Sequence, residues 1–408
     1  MRFLAATIAA ATIVSTALPS AGQTLPVFRV GVLNDQSGLY ADIAGIGSVE
    51  AAKMAVEDFK PEDKGFRVEV LSADHQNKTD VGSNIVRQWY DRDNVDAVAD
   101  VPTSSIALAV SDITKSKDKV FLIASAGTSD LTGKACSRNN VHWTYDTWAL
   151  ANGTAKAVIG TGGDTWYFLT ADYAFGHSLE RDAVSILNEN GGKILGSVRA
   201  PFQTADFSSF LLQAQGSGAK IIALANSGGD TITSVKQAAE FGVTSGGQKL
   251  AGLLVFLTDV HSIGLETAQG LLLTEAFYWD LNDATRAWTK RFIQRSGGKY
   301  PTMNQAGTYA SVLHWMKAIA AMPDKGAARS GQQVVDQMKA LPTDDPLFGK
   351  GSVRADGRKI HDMYLFDVKK PSESKGPYDY YKLVKTIPAA EAFRPLSKSE
   401  CPLIAAGK

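Results

Sequence analysis

One pattern constrains this chain more than any other: strand, loop and helix follow one another repeatedly, and near residue 165 the series begins again. Residues 27–33 read as a strand that ends in a polar, Gly-bearing loop, 34–40. Apolar positions at helical spacing follow at Ala51, Ala52, Met54, Ala55, Val56 and Phe59. Next come an alternating strand at 66–71, a helix around 83–90, a strand at 97–101, a helix opened by Pro102-Thr103-Ser104-Ser105, and a strand at 120–124. The second series has strands at 165–170, 193–198, 220–225 and 253–257, with helices at 178–190, 208–215 and 232–241 between them. Helices return at 284–295 and 308–321, before short, turn-rich strands at 351–354 and 362–368. Parallel strands need long crossovers and helices supply them, so the expected class is α/β: two similar units in tandem, each a parallel sheet covered on both faces.

The address is written at the start. Met1-Arg2 supplies one positive charge, and residues 3–18 are almost wholly apolar or small, too short and too weakly flanked for a spanning helix. Residues 1–22 are therefore expected to be an export signal, with several small residues offering cleavage sites and no cysteine to take a lipid. No later run of about eighteen apolar residues appears, so a soluble periplasmic protein is expected. The 408 residues exceed what one hydrophobic core usually serves. The 42 basic and 42 acidic residues cancel, which argues against nucleic-acid binding and against a polybasic membrane module.

There are two cysteines, Cys136 and Cys401. In an oxidising compartment an even count with no neighbouring His or Cys suggests one disulfide, tying the C-terminal tail to the middle of the chain, rather than a metal site. Two free thiols are the alternative. His75, His142, His177, His261, His314 and His361 never fall at metal-ligand spacing, and no nucleophile elbow, phosphate-binding loop or dinucleotide fingerprint occurs. Asp172 and Asp230 on facing loops are read as helix-capping acids before catalytic ones. No cofactor, metal or enzymatic activity is expected.

In parallel sheets, ligands sit where loops leave the carboxyl ends of the strands, and helix N-termini there present free N–H groups to anions. Three such loops carry hydroxyls and small residues: Ser37-Gly38-Leu39-Tyr40, Pro102-Thr103-Ser104-Ser105 and Ser125-Ala126-Gly127-Thr128-Ser129. Each alone reads as ordinary capping by Ser or Thr. Converging, they suit a carboxylate. The second unit offers aromatics instead. Tyr40, Tyr173, Tyr278 and Trp279 adjoin polar or Gly-bearing loops, where a ring facing a cleft is plausible, while Phe175 and Phe256 read as core.

These residues carry a resemblance to the periplasmic solute-binding proteins of ABC transporters in the Leu/Ile/Val-binding family. The Val30-Gly31-Val32-Leu33 strand with its Ser37-Gly38 loop, then Ser104-Ser105, Ala126-Gly127-Thr128, Asp172-Tyr173-Ala174-Phe175-Gly176, Gly349-Lys350-Gly351 and Asp356-Gly357 occur in family order. The similarity spans essentially the whole mature chain. It departs at Asn34-Asp35-Gln36, where many members carry Gly-Pro.

The resemblance implies a type I periplasmic binding protein fold: two doubly wound lobes joined by a three-strand hinge that closes around a small ligand. By analogy the crossovers lie near 144–147, 277–280 and 362–366. The N-terminal lobe is then 23–145 plus 279–362, and the C-terminal lobe 146–278 plus 363–408. Closure lets a permease of the inner membrane distinguish loaded from empty protein, provided that the ligand favours the closed state.

Family ligand-contacting positions fall on Tyr40, Thr103, Ser104, Ser125, Ala126, Thr128, Tyr173, Asn226 and Thr258. The resemblance implies that Ser104, Ser125 and Thr128 hold a carboxylate while Tyr173 and Tyr278 cover the ligand body. The leucine-binding member has an acid at the position of Thr258, which this chain lacks, though Asp259 and Asp230 are close. The expected ligand is accordingly an aromatic carboxylate, as in the subgroup thought to import lignin-derived benzoates and cinnamates. A branched-chain amino acid or small amide is the alternative of the same class. A ligand sensor or a secreted hydrolase is the alternative of another class. A monomer with no nucleic-acid partner is expected.

Overall fold

The computed structural model describes residues 25–405, so the expected export signal at 1–22 lies outside the described residues. The first unit alternates β1 (Val27–Asn34), α1 (Gly45–Phe59), β2 (Arg67–Asp74), α2 (Thr79–Asp91), β3 (Ala97–Asp100), α3 (Ser104–Ser116), β4 (Val120–Ile123) and β5 (Asn140–His142). Its five strands run parallel in the order β2-β1-β3-β4-β5. The second unit alternates α4 (Thr147–Gly160), β6 (Thr165–Ala171), α5 (Ala174–Glu189), β7 (Lys193–Ala200), α6 (Ser208–Gly216), β8 (Ile221–Ala225), α7 (Gly229–Glu240) and β9 (Lys249–Gly252). Its four strands are also parallel, in the order β7-β6-β8-β9. Both sheets therefore have the first strand inside, the second outside it on one flank and the third on the other. That reversal opens a crevice at the carboxyl ends of the first and third strands of each unit.

The remaining chain serves both units. After α8 (Leu257–Ile263), α9 (Leu265–Ala268) and β10 (Leu272–Glu275), it returns to the first sheet as α10 (Asp283–Arg295), α11 (Met303–Ala321) and α12 (Gly331–Ala340). Asn282 and Thr302 start α10 and α11, their side-chain oxygens accepting from the Thr285 and Asn304 amides. Helix α11 is buried on nearly every face between α1, β3 and β4, with Trp315 on the ring of Phe28. Outside it, Arg291 and Arg295 of α10 pair with Asp58, Glu50 and Glu57 of α1. The short antiparallel sheet of β11 (Thr343–Asp345), β12 (Gly349–Val353) and β13 (Lys359–Ile360) follows. Strands β14 (Met363–Val368) and β15 (Tyr381–Ile387) then pair antiparallel with each other and β14 with β10, forming a third sheet in the order β10-β14-β15.

The tail runs through α13 (Ala389–Ala392) to α14 (Pro402–Ala405) and touches both units. The Asn152 amide of α4 donates to the Glu391 carbonyl, Arg394 pairs with Asp182 of α5, and Lys398 pairs with Glu189 of α5. Cys401 then forms a disulfide with Cys136 of the first unit, as the cysteine count suggested. Among the described residues no helix is long and apolar enough to cross a membrane.

Several elements differ from expectation or were not foreseen, β5, α12 and β15 among them. The strand placed at 253–257 is Lys249–Gly252 instead, with 253–256 forming a loop and Leu257 opening α8. Helix α4 was not foreseen, because ten of its fourteen residues are buried and it lacks the polar face that makes helical periodicity visible.

Candidate functional site

Between the carboxyl ends of the two sheets lies a cavity lined by Tyr40, Ile43, Pro102, Ser125, Gly127, Tyr145, Tyr173, Phe175, Ser227 and Leu254. Every one of these positions follows a strand of the first or second sheet, where the fold rule places a ligand. The cavity is tight, about 10 Å³, room for roughly one water molecule. The Tyr40 and Tyr173 hydroxyls meet across it at 2.5 Å. The Phe202 ring lies 4.7 Å from the Tyr173 ring and 5.6 Å from the Tyr40 ring, centroid to centroid. Burial holds Tyr40, Tyr145 and Tyr173 well above the ordinary phenol range, so all three present neutral hydroxyls.

The backbone that shapes the floor is strained. Asp100 and Val101 both adopt left-handed conformations, φ 80° and 55°, the second at a β-branched residue. This double turn swings the chain from β3 into α3 within three residues. Thr103 does not cap α3: its hydroxyl donates to the Asn77 side chain instead, at 2.5 Å. Ser104 is the first helical residue, and its hydroxyl accepts from the Thr128 amide at 3.2 Å. Side-chain caps are absent also from α1, α5 and α7, all of which begin at this cleft. Their first-turn N–H groups thus lack an intrahelical or side-chain acceptor, which favours a negatively charged guest. Thr128 does behave as an ordinary cap, accepting from Asp130 in the short turn that follows it.

Ser125 donates to Asp100, whose carboxylate also accepts from Asn34 at 2.8 Å. Asp100 is fully buried, and burial pushes it up to about 6 despite those bonds. Tyr145 donates to the Ser125 carbonyl at 2.6 Å and so fixes the loop from the opposite side. The carbonyl of Ala126 accepts from the His142 ring at 2.7 Å.

Of the eleven positions singled out in the sequence, Tyr40, Ser125 and Tyr173 line the cavity, and Thr103, Ser104, Ala126 and Thr128 lie in the loops behind it. The other four sit elsewhere. Asn226 is turned into α7, accepting from Thr231 and donating to Ser234. Thr258 is buried in α8, with its hydroxyl unpartnered. Asp259 accepts from the Phe256 amide and is raised to about 7 by burial. Tyr278 packs on Phe366 and Tyr381 and donates to the Tyr378 carbonyl.

Of the other lining residues, Pro102 and Gly127 fell inside the loops read as suited to a carboxylate without being named as contacts, Ile43, Tyr145, Ser227 and Leu254 were not singled out, and Phe175 was read as core. Phe175 is in fact both, 3% exposed with its ring against the cavity. Ser227 directly adjoins Asn226, which was named. Tyr145 offered a signal in its polar surroundings, Thr144 and Asp146.

Residues 27–376 match the family described as periplasmic binding protein. A periplasmic binding protein from Burkholderia mallei is 47% identical, covering 92% of this chain and 99% of its own, with a TM-score of 0.88. A branched chain amino acid ABC transporter periplasmic ligand-binding protein from Burkholderia xenovorans LB400 is 41% identical, covering 92% of this chain and 100% of its own, with a TM-score of 0.81. An ABC transporter solute binding protein from R. palustris, in complex with benzoate, shares the fold at 17% identity and a TM-score of 0.78, covering 89% of this chain and 97% of its own.

Proposed function

Because the chain belongs to the periplasmic binding protein family, whose members bind small ligands, we propose that it captures a small aromatic carboxylate in this cleft and delivers it unchanged to an ABC importer. One observation carries the reading: the cavity between the two sheets is lined by four aromatic rings and two serines, with no charged side chain among the described lining residues. A ring binds by area and by stacking on such a surface. Its carboxylate has the open N-terminus of α3 as partner, with the Ser104 hydroxyl, which accepts from the Thr128 amide and keeps its own proton to donate. The benzoate complex of the R. palustris protein is in keeping with this class.

The cleft as it stands is too small for a benzoate, so entry requires Tyr40 and Tyr173 to part. In the same reading the units move as lobes, 23–145 plus 279–362 against 146–278 plus 363–408, and residues 1–22 export a protein that works as a monomer.

A branched-chain amino acid is the second reading, favoured by the description of the Burkholderia xenovorans relative. The two separate in a thermal-shift panel run on protein refolded to strip carried-over ligand. A ligand at one hundred times its Kd adds about 2.7 kcal/mol. Stabilisation by hydroxybenzoates, cinnamates or phenylacetates, with the ligand recovered intact at one per chain, is the expected result. A response to leucine, isoleucine or valine alone would replace the aromatic reading with the amino-acid one, and turnover of the ligand would remove both.

A further inference from the structure

Beside the cleft the second unit holds a buried carboxylate whose partners leave one oxygen over. Asp230, in the first turn of α7, is 2% exposed. Its Oδ2 accepts from the Gln203 amide at 3.2 Å, and its Oδ1 has no partner. Gln203 itself adopts a left-handed conformation, φ 66°, which turns its N–H onto Asp230. The neighbouring residue is Phe202, whose ring packs on both Tyr40 and Tyr173. The start of α7 also meets the first unit: a Cβ at Gly228 would lie 3.0 Å from the Tyr40 ring. An unpaired acceptor buried at this point costs free energy unless something donates to it.

We propose that Asp230 reads a hydroxyl on the end of the ligand remote from its carboxylate, so that the preferred guests are hydroxyaryl carboxylates. The proposal rests on the aromatic-acid reading above. The groups assigned to the carboxylate, Ser104 and the α3 N-terminus, belong to the first unit, and Asp230 occupies the first turn of α7 in the second. An α-amino acid carries its donor next to its carboxylate, whereas a hydroxyaryl acid carries it across the ring, as this separation demands.

The experiment is calorimetric titration of benzoate, 3-hydroxybenzoate, 4-hydroxybenzoate and leucine into wild type, Asp230→Ala and Asp230→Asn. Wild type is expected to bind at least one hydroxybenzoate ten-fold or more tighter than benzoate. Asp230→Ala should shrink that preference to three-fold or less while leaving benzoate affinity within three-fold. Asp230→Asn, which keeps an acceptor for Gln203 and for the ligand, should retain part of the preference. Equal wild-type affinity for benzoate and both hydroxybenzoates overturns the assignment and leaves the aromatic reading standing. So does an equal loss for all aromatic acids in Asp230→Ala, since that marks a structural role in holding 202–204. Binding of leucine with none of the aromatic acids removes the assignment and the aromatic reading together.

Discussion

Asp259 is 1% exposed, and burial pushes its carboxyl up to about 7 from an ordinary value of about 3.9 in an unfolded chain. Between those values the folded chain holds a proton that the unfolded chain releases. The contribution to stability is complete below about pH 4 and is lost as the pH rises through 7. Asp259→Asn keeps an acceptor for the Phe256 amide and has no such proton to lose. The melting temperature of this variant relative to wild type should therefore rise by about 3 °C or more between pH 5 and pH 8. A difference that stays constant with pH in differential scanning calorimetry would contradict it. At this scale the sequence was legible where backbone position alone decides the matter. Tyr40, Ser125 and Tyr173 follow strands, and any side chain there meets the cleft. Asn226 also follows a strand, but the hydroxyls of Thr231 and Ser234 draw its amide into α7, a competition between local hydrogen bonds that spacing does not reveal.

The loops between strands and helices close on one another through a position that has no side chain. A Cβ at Gly127, in the loop after β4, would lie 2.7 Å from the Phe175 ring at the start of α5 and 3.3 Å from the Tyr145 ring. Gly127→Ala breaks no backbone rule, since this glycine is not left-handed. Its effect falls on the approach of the two units. Ligand affinity should fall ten-fold or more with the melting temperature of unliganded protein within about 3 °C of wild type. Small-angle scattering should show the ligand-induced compaction reduced, and an unchanged affinity would sink the idea. Most elements were readable from periodicity, as in β1, α5 and β8. Helix α4 was not, because burial on nearly all sides erases the contrast between faces. Strand β9 was displaced because 250–257 is a continuous apolar or Gly run with no alternation to fix where pairing stops.

For the whole molecule the internal repeat made the tandem architecture legible, whereas the return of α10 to α12 to the first sheet is not written in the pattern, and α12 was not read as a helix. The tail was the least predictable part. It leaves β15, crosses α4 and α5 of the second unit and is fastened to the first by Cys136–Cys401, 265 residues apart. Closing a loop of that length is worth up to about 5 kcal/mol in the chain-entropy account, with about 2–4 kcal/mol typical. Cys401→Ser should lower the melting temperature by about 4 °C or more, and reducing the wild type should reproduce that loss. No change in either sample would mean that the salt bridges of Arg394 and Lys398 hold the tail unaided.

The same bond also orders events during synthesis. Ribosomes deliver Cys136 long before Cys401, which follows 265 residues later. Throughout that interval the growing polypeptide carries a solitary thiol with no correct partner in existence. Oxidation to the native pairing is thereby reserved for a molecule in which the whole span between the two cysteines has been translated, and a product truncated within that span is marked by an unpaired cysteine.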